Sequence, residues 1–175
     1  MTLSAAKRIC INGMLVSVAM VLSYIEAVFP LSLLVPLPGV KLGLANIAIM
    51  ICFYCLSPFD ALIVGFLRIL LTQILFGTVT GFWFSVGGFI FSFIGMLILK
   101  SAFFGGKVSF YGVGVLCAAF HNCGQIAAAI LVFGNIGIAA YLPLLLIAAV
   151  ITGFISGLCA VPISGLKVFK KKKNA

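Results

Sequence analysis

Long apolar stretches, separated by short polar or proline-containing breaks, dominate the chain. From Val108 to Leu166 there is no Lys, Arg, Asp or Glu, which leaves room for two membrane-crossing helices of roughly 20 apolar residues each. Barrel strands would alternate apolar and polar residues, and these stretches do not, so the pattern predicts helices. The predicted spans are residues 9–29, 43–57, 59–77, 81–99, 111–134 and 142–166. We therefore expect an all-α, polytopic membrane protein, a six-transmembrane-helix bundle forming one domain over residues 1–175.

Composition supports this class, and the basic residues predict an orientation. Hydrophobic residues make up 65% of the chain and charged residues 7%, against about a quarter charged in soluble domains. Lys and Arg are retained on the cytoplasmic side of membranes. With six helices, the bases outside the spans share one side, apart from Lys41; they are Lys7, Arg8, Lys100, Lys107, Lys167 and residues 170–173. Both termini are thus expected on the cytoplasmic side.

The basic residues also bear on binding partners. Residues 167–175 form a basic cytoplasmic tail that can contact anionic lipid. The net charge of +9 follows mostly from topology, and no nucleic-acid recognition module is present. We expect a multi-pass protein of the cell membrane with no nucleic-acid partner.

Proline and glycine mark two connections between the predicted spans. Residues 30–46 contain three prolines and no obvious helix, and such irregular backbone must lie at the surface or line a cavity. We interpret this segment as a lid or pocket wall on the outer side. Only Ser57 and Pro58 separate the second and third spans, which predicts a tight hairpin. Asp60 then lies in the first turn of the third helix, where an acid suits the helix dipole, and we interpret it as a cap.

The chain lacks the residues that several kinds of chemistry require. Of six cysteines only Cys52 and Cys55 have CxxC spacing, inside an apolar helix and without a second cluster, so we interpret them as packing residues and expect no metal site and no cofactor. No GxxxxGK[ST] phosphate loop is present. Prenyl transfer needs clustered aspartates for magnesium, and the chain has a single aspartate. The sequence therefore predicts a protein that is not itself an enzyme.

Small residues follow helical spacing in three spans. Gly81, Ser85, Gly88, Ser92 and Gly95 share one face of the fourth span, and Ala149, Gly153 and Gly157 form a small-xxx-small pattern in the sixth. Such patterns allow close helix packing, and we interpret both as internal contacts. In the first span, Gly13 and Ser17 form one small pair and Ala19, Ser23 and Ala27 form another ridge, which suit an internal contact or docking of a membrane partner.

Arg68 interrupts an apolar span, and a cation inside hydrocarbon is by default a sign of function. The 1.5 Å rise per residue places it roughly 12 to 14 Å from the cytoplasmic end, near mid-membrane. His121, Asn122 and Gln125 lie from the middle outward on one face of the fifth span. The remaining polar candidates of the outer half are Glu26, Lys41, Asn46, Gln73 and Tyr141. Their shared depth predicts an outward-facing pocket.

The charges of this region predict the type of ligand. Arg68 and Lys41 against Glu26 leave a net positive charge, to which His121 can add, so the pocket should prefer a carboxylate or phosphate held by Arg68. Two alternatives stay open. Glu26 can be a structural counter-ion of Arg68, and His121 can be a satisfied core histidine.

Several segments together resemble a known family. They are PGVKLGLAN at 38–46, Arg68, FGTVTGFWFSVGGFIFS at 76–92, HNCGQ at 121–125 and YLPLLL at 141–146. The chain thereby resembles the Gx transporter family, labelled heptaprenyl diphosphate synthase component I. That family is similar in size and layout to the substrate-binding S components of energy-coupling factor (ECF) transporters.

This resemblance implies a function and partners. An S component captures a vitamin-like molecule from outside and passes it inward with a membrane coupling subunit and two ATPases. Gly13, Ser17 and Ala19 would then match the docking surface. The synthase label can hold only for a non-catalytic accessory subunit, given the single aspartate. Import is the first hypothesis and the accessory subunit the alternative.

Overall fold

The computed structural model describes residues 4–28 and 40–166, and within these ranges all regular structure is helical. Six α-helices follow the chain: α1 Ala5–Val28, α2 Asn46–Cys55, α3 Pro58–Phe76, α4 Val79–Phe104, α5 Phe110–Phe133 and α6 Leu142–Ser164. A short 3₁₀ helix, Ile136–Tyr141, leads into α6. The all-α prediction is confirmed. Residues 30–39, which are most of the proposed lid, and the basic tail from residue 167 lie outside the described residues.

Helix α2 is the centre of the bundle. Helix α5 packs extensively on both α4 and α6, and α1 packs on α3. Helix α2 contacts all five other helices. Every residue of α2 from Asn46 to Tyr54 is buried. With ten residues, α2 is only about 15 Å long, about half the hydrocarbon thickness of a bilayer.

Five helices, rather than six, are long and apolar enough to cross a membrane within the described ranges; they are α1, α3, α4, α5 and the 3₁₀–α6 unit Ile136–Ser164. The predicted second span, 43–57, contains only the short helix α2. Its length is limited at one end by the glycine-containing turn before Asn46 and at the other by Pro58. The count of six crossings and the cytoplasmic position of both termini stay predictions.

The hairpin between α2 and α3 has the expected tight form. Pro58 begins α3, and the Ser57 hydroxyl accepts a hydrogen bond from the Asp60 backbone N–H at 3.1 Å. Ser57 is therefore the cap, and the interpretation of Asp60 as the cap was wrong. The Asp60 carboxylate instead accepts the Ser57 hydroxyl and forms an ion pair with Arg8 at 2.7 Å. Asn12 of α1 also donates to it, at 2.9 Å, so Asp60 joins α3 to α1.

Small residues allow α4, α5 and α6 to approach closely, as predicted. All five small residues of the α4 face are buried, as are Ala149, Gly153 and Gly157 of α6. A Cβ on Gly87 of α4 would lie 2.6 Å from the carbonyl oxygen of Gly124 on α5. A Cβ on Gly114 of α5 would meet the carbonyl oxygen of Gly153 on α6. These glycines permit contacts between helix backbones.

The small residues of α1 do not form one surface. Gly13 and Ser17 are exposed, and a Cβ on Gly13 would meet nothing within 4 Å. Ala19, by contrast, is fully buried in the core. Its assignment to a docking surface is corrected, because it already packs inside the bundle. Docking through Gly13 and Ser17 stays a prediction.

The close helix contact predicts a large difference between two glycine-to-alanine substitutions. Gly114→Ala should lower stability by about 1–3 kcal/mol, because the new methyl group meets a neighbouring backbone. Gly13→Ala, at an open helical position, should stabilise by about 0.5–1 kcal/mol. Thermal unfolding of both purified variants in detergent tests this. Equal midpoints for the two variants would contradict the α5–α6 packing.

Candidate functional site

Arg68 is buried on α3 with most of its hydrogen-bonding capacity unused. The side chain is 2% exposed. Its Nη1 donates to the Ser23 hydroxyl of α1 at 3.3 Å. Its Nε and Nη2 have no hydrogen-bond partner in the described part of the chain. A buried guanidinium is normally paired, so among the described residues Arg68 lacks the partners that its charge requires.

Glu26 lies close to Arg68 but does not form an ion pair with it. Over residues 4–28 and 40–166 the single ion pair is Arg8–Asp60. The Glu26 carboxylate instead accepts the backbone N–H of Leu44, and its Oε2 has no partner there. The alternative of a direct Glu26–Arg68 salt bridge is therefore wrong. Glu26 remains within electrostatic range of Arg68 and Lys41.

Gln125 connects the segment before α2 to α5. Its Oε1 accepts the Lys41 backbone N–H at 3.1 Å, and its Nε2 donates to the Lys41 carbonyl at 3.0 Å. The same Nε2 lies 2.6 Å from Nε2 of His121. The two backbone contacts fix the orientation of the amide, so Nε2 of His121 must accept a hydrogen bond.

His121 is thereby assigned as a neutral imidazole with its proton on Nδ1. A protonated ring would place two N–H donors against each other at the Gln125 contact. The ring packs on Gly88, where a Cβ would lie 2.5 Å from Cε1. Nδ1 faces this backbone without a hydrogen bond of ordinary geometry. The expectation that His121 adds a positive charge is corrected by this arrangement.

The polar residues of α5 do not all face the same way. His121 and Gln125 share a face and bond to each other, as their spacing predicts. Asn122 instead donates to the Leu145 carbonyl of α6 at 2.6 Å. Asn122 therefore joins α5 to α6, and its Oδ1 has no partner among the described residues.

The turn before α2 brings Asn46 beside His121. Gly43 has a φ of +85°, a left-handed conformation that glycine adopts readily. A Cβ on Gly43 would lie 2.9 Å from Cδ2 of His121 and 3.3 Å from Nδ2 of Asn46. Gly43 thus allows the turn to pass close to both side chains.

Lys41 is a second cation in the polar cluster around Arg68. Its Nζ donates to the Ser85 hydroxyl of α4 at 3.4 Å. Burial, and next the charge of Arg68, lower the pKa of Lys41 below its ordinary value, while Glu26 raises it less. With neutral His121, the charged groups are Arg68 and Lys41 against Glu26. The cluster therefore keeps the net positive charge that favours an anion.

Two predicted site residues lie at the margin. Gln73 is half-buried near the end of α3, and Tyr141 is half-buried before α6, packed against the apolar cluster that includes Phe84 and Leu145. Two residues absent from the prediction, Ser23 and Ser85, contact Arg68 and Lys41. Both belong to small-residue patterns of their helices, which suggested contacts between helices rather than contacts with charged side chains.

A cavity of about 530 Å³ lies at the other end of α2. Aromatic residues form much of its wall, with Lys100 and two serines at its polar positions; it is lined by Phe53, Tyr54, Cys55, Leu56, Ser57, Pro58, Lys100, Phe103, Phe104, Phe110 and Ser164. The sequence did not predict a cavity at this end. The predicted outer pocket around Arg68 stays a prediction.

Comparison with known proteins shows the family. The model of the heptaprenyl diphosphate synthase component I family matches residues 15–163. No curated protein and no solved structure matches the chain. The matched range runs from α1 almost to the end of α6 and includes the whole cluster around Arg68. The chain belongs to the heptaprenyl diphosphate synthase component I family.

Proposed function

We propose that this chain is a non-catalytic membrane subunit that binds a small molecule through an anionic oxygen group at Arg68. The observation that carries the proposal is the buried guanidinium, two of whose nitrogens have no partner among residues 4–28 and 40–166. Burying an ion typically costs several kcal/mol when no partner compensates. A carboxylate or phosphate oxygen would satisfy both nitrogens, since guanidinium binds such groups bidentately.

The surrounding groups are arranged to recognise such a ligand. Asn46 and Glu26 also have unpartnered buried atoms, and Gln125 holds the Lys41 segment over His121. The start of α2, the positive end of its helix dipole, lies at the same place. These features support a binding site assembled from α1, α2, α3 and α5.

In the first form of the proposal, the chain is the substrate-capture component of an ECF-type importer in the bacterial cytoplasmic membrane. A membrane coupling subunit and ATPases would supply the energy. Support comes from the resemblance in size and layout and from the polar cluster. The exposed residues Gly13 and Ser17 of α1 are then available to a partner.

The test is mass spectrometry of small molecules that co-purify with the full chain from its native membrane. We expect a bound anionic molecule in the wild type and its loss from Arg68→Ala, which should still be expressed and folded. Gly13→Ala, distant from the cluster, should retain the molecule. An Arg68→Ala protein that carries the same molecule in the same amount would refute the role of Arg68.

The family description favours the second form, a non-catalytic accessory subunit of a heptaprenyl diphosphate synthase. Arg68 would then bind a diphosphate. In that case the purified chain should stimulate prenyl chain elongation by a catalytic subunit, and Arg68→Ala should not. No stimulation, together with ATP-dependent uptake on coexpression with ECF subunits, would decide for the importer.

A further inference from the structure

Asn46 is a second recognition group whose chemistry differs from that of Arg68. It is the first residue of α2, is 6% exposed, and forms no capping hydrogen bond. Both Nδ2 and Oδ1 lack partners among the residues that the structure describes. Asn near a helix start commonly satisfies backbone N–H groups, but here the first N–H groups bond to the carbonyls of Gly43 and Leu44. The Asn46 amide is therefore available to something else.

The location of Asn46 places this amide in the Arg68 cluster. Asn46 and His121 both contact the position that a Gly43 Cβ would occupy, and Arg68 is within electrostatic range of His121. Leu44, two residues before Asn46, donates to Glu26. The amide therefore lies beside His121, and the turn that precedes it is bonded to Glu26.

The free amide offers one donor and one acceptor side by side. A carboxylate or diphosphate offers only acceptors, so it can satisfy Nδ2 but leaves Oδ1 unpaired. An amide, a lactam or an imide ring edge presents an acceptor beside an N–H donor and satisfies both atoms. A buried polar group left unsatisfied by the ligand lowers its affinity, which is enough to discriminate between these ligand classes.

We infer that the ligand has two recognition groups, an anionic oxygen group that binds Arg68 and a neutral amide-like or lactam edge that binds Asn46. This inference rests on the proposed function. It favours a compact heteroaromatic or amide-containing acid over a prenyl diphosphate, whose hydrocarbon chain and diphosphate offer no donor. The importer and the synthase accessory subunit can therefore be distinguished by the class of ligand that the chain binds.

The test uses four probes that separate the two groups. Orotate carries a carboxylate and a lactam edge, benzoate a carboxylate alone, uracil the ring edge alone, and pyrophosphate the diphosphate alone. Thermal unfolding and equilibrium binding are measured on the full chain in detergent. We expect orotate to raise the midpoint most at equal concentration, and Asn46→Leu to weaken orotate about 10-fold or more, a loss of at least 1.4 kcal/mol, while leaving benzoate unchanged.

The stability of the empty variant provides a control for folding. Asn46→Leu removes two unpaired buried polar atoms, so its midpoint without probe should equal or exceed that of the wild type. Orotate binding no tighter than benzoate, or an orotate preference that survives Asn46→Leu, would overturn the inference. If pyrophosphate alone binds in an Arg68-dependent way, the inference fails but the anion site stands. If no probe depends on Arg68, both fail.

Discussion

Arg68→Met should raise the thermal stability of the empty protein while abolishing anion binding. Arg68 is 2% exposed and, in the described part of the chain, has one hydrogen bond, to Ser23, so its charge is poorly compensated there. Replacing buried charged groups by apolar residues of similar volume is often neutral or stabilising by about 1–4 kcal/mol. A residue retained at a cost to stability is expected at a binding site rather than in a structural role. The measurement is the unfolding midpoint with and without pyrophosphate and carboxylate probes.

Arg68→Lys is the matched control. Lysine keeps the positive charge but lacks the paired N–H donors of the planar guanidinium, so anion binding should weaken. The unfolding midpoint of the empty protein should stay near that of the wild type. At a ligand concentration 100 times Kd, the free energy of unfolding of the wild type should rise by about 2.7 kcal/mol. That of Arg68→Met should not change. A clear loss of stability in the empty Arg68→Met protein would show that Arg68 is structural.

The second large effect concerns another buried charge, that of Asp60 in the first turn of α3. Arg8→Met should lower stability, because it leaves the Asp60 carboxylate, 3% exposed, without its cation. The loss should be smaller than for a fully buried pair, because the Arg8 side chain is 45% exposed and solvent screens part of the cost. The remaining bonds from Asn12 and Ser57 compensate part of this cost. The same substitution type thus has opposite effects at Arg8 and Arg68.

Lys7→Met provides the control for Arg8→Met. Lys7 is the exposed neighbour of Arg8 and forms no ion pair in the described ranges, so its replacement should change stability by less than about 0.5 kcal/mol. Asp60→Asn should rescue part of the Arg8→Met loss, because the buried charge is then removed as well. Equal midpoints for Lys7→Met and Arg8→Met would contradict the ion pair.

Hydropathy predicts the long helices well and α2 poorly. The starts and ends of α3, α5 and α6 lie within two residues of their predicted positions, because prolines and glycines mark them. The apolar composition of residues 43–57 indicates burial, but lipid and a protein core select the same residues. A central ten-residue helix surrounded by five others therefore has the same hydropathy as a membrane span.

The sequence predicted the polar cluster only in part. Helical spacing was sufficient to pair His121 with Gln125. The bonds from Gln125 to the Lys41 backbone and from Glu26 to Leu44 depend on the path of a non-helical segment, which spacing does not define. Arg8 and Asp60 are 52 positions apart, and a contact at that separation follows from tertiary packing alone. The neutral state of His121 likewise depends on the orientation of one amide.

The central position of α2 connects the two ends of the bundle mechanically. Asn46 begins the helix in the polar cluster, and Cys55 ends it at the aromatic cavity beside Lys100. A hydrogen-bonded helix of this length behaves as a stiff rod of about 15 Å. The polar cluster and the aromatic cavity are therefore joined by one rigid element rather than by a flexible segment, and α2 fixes their separation.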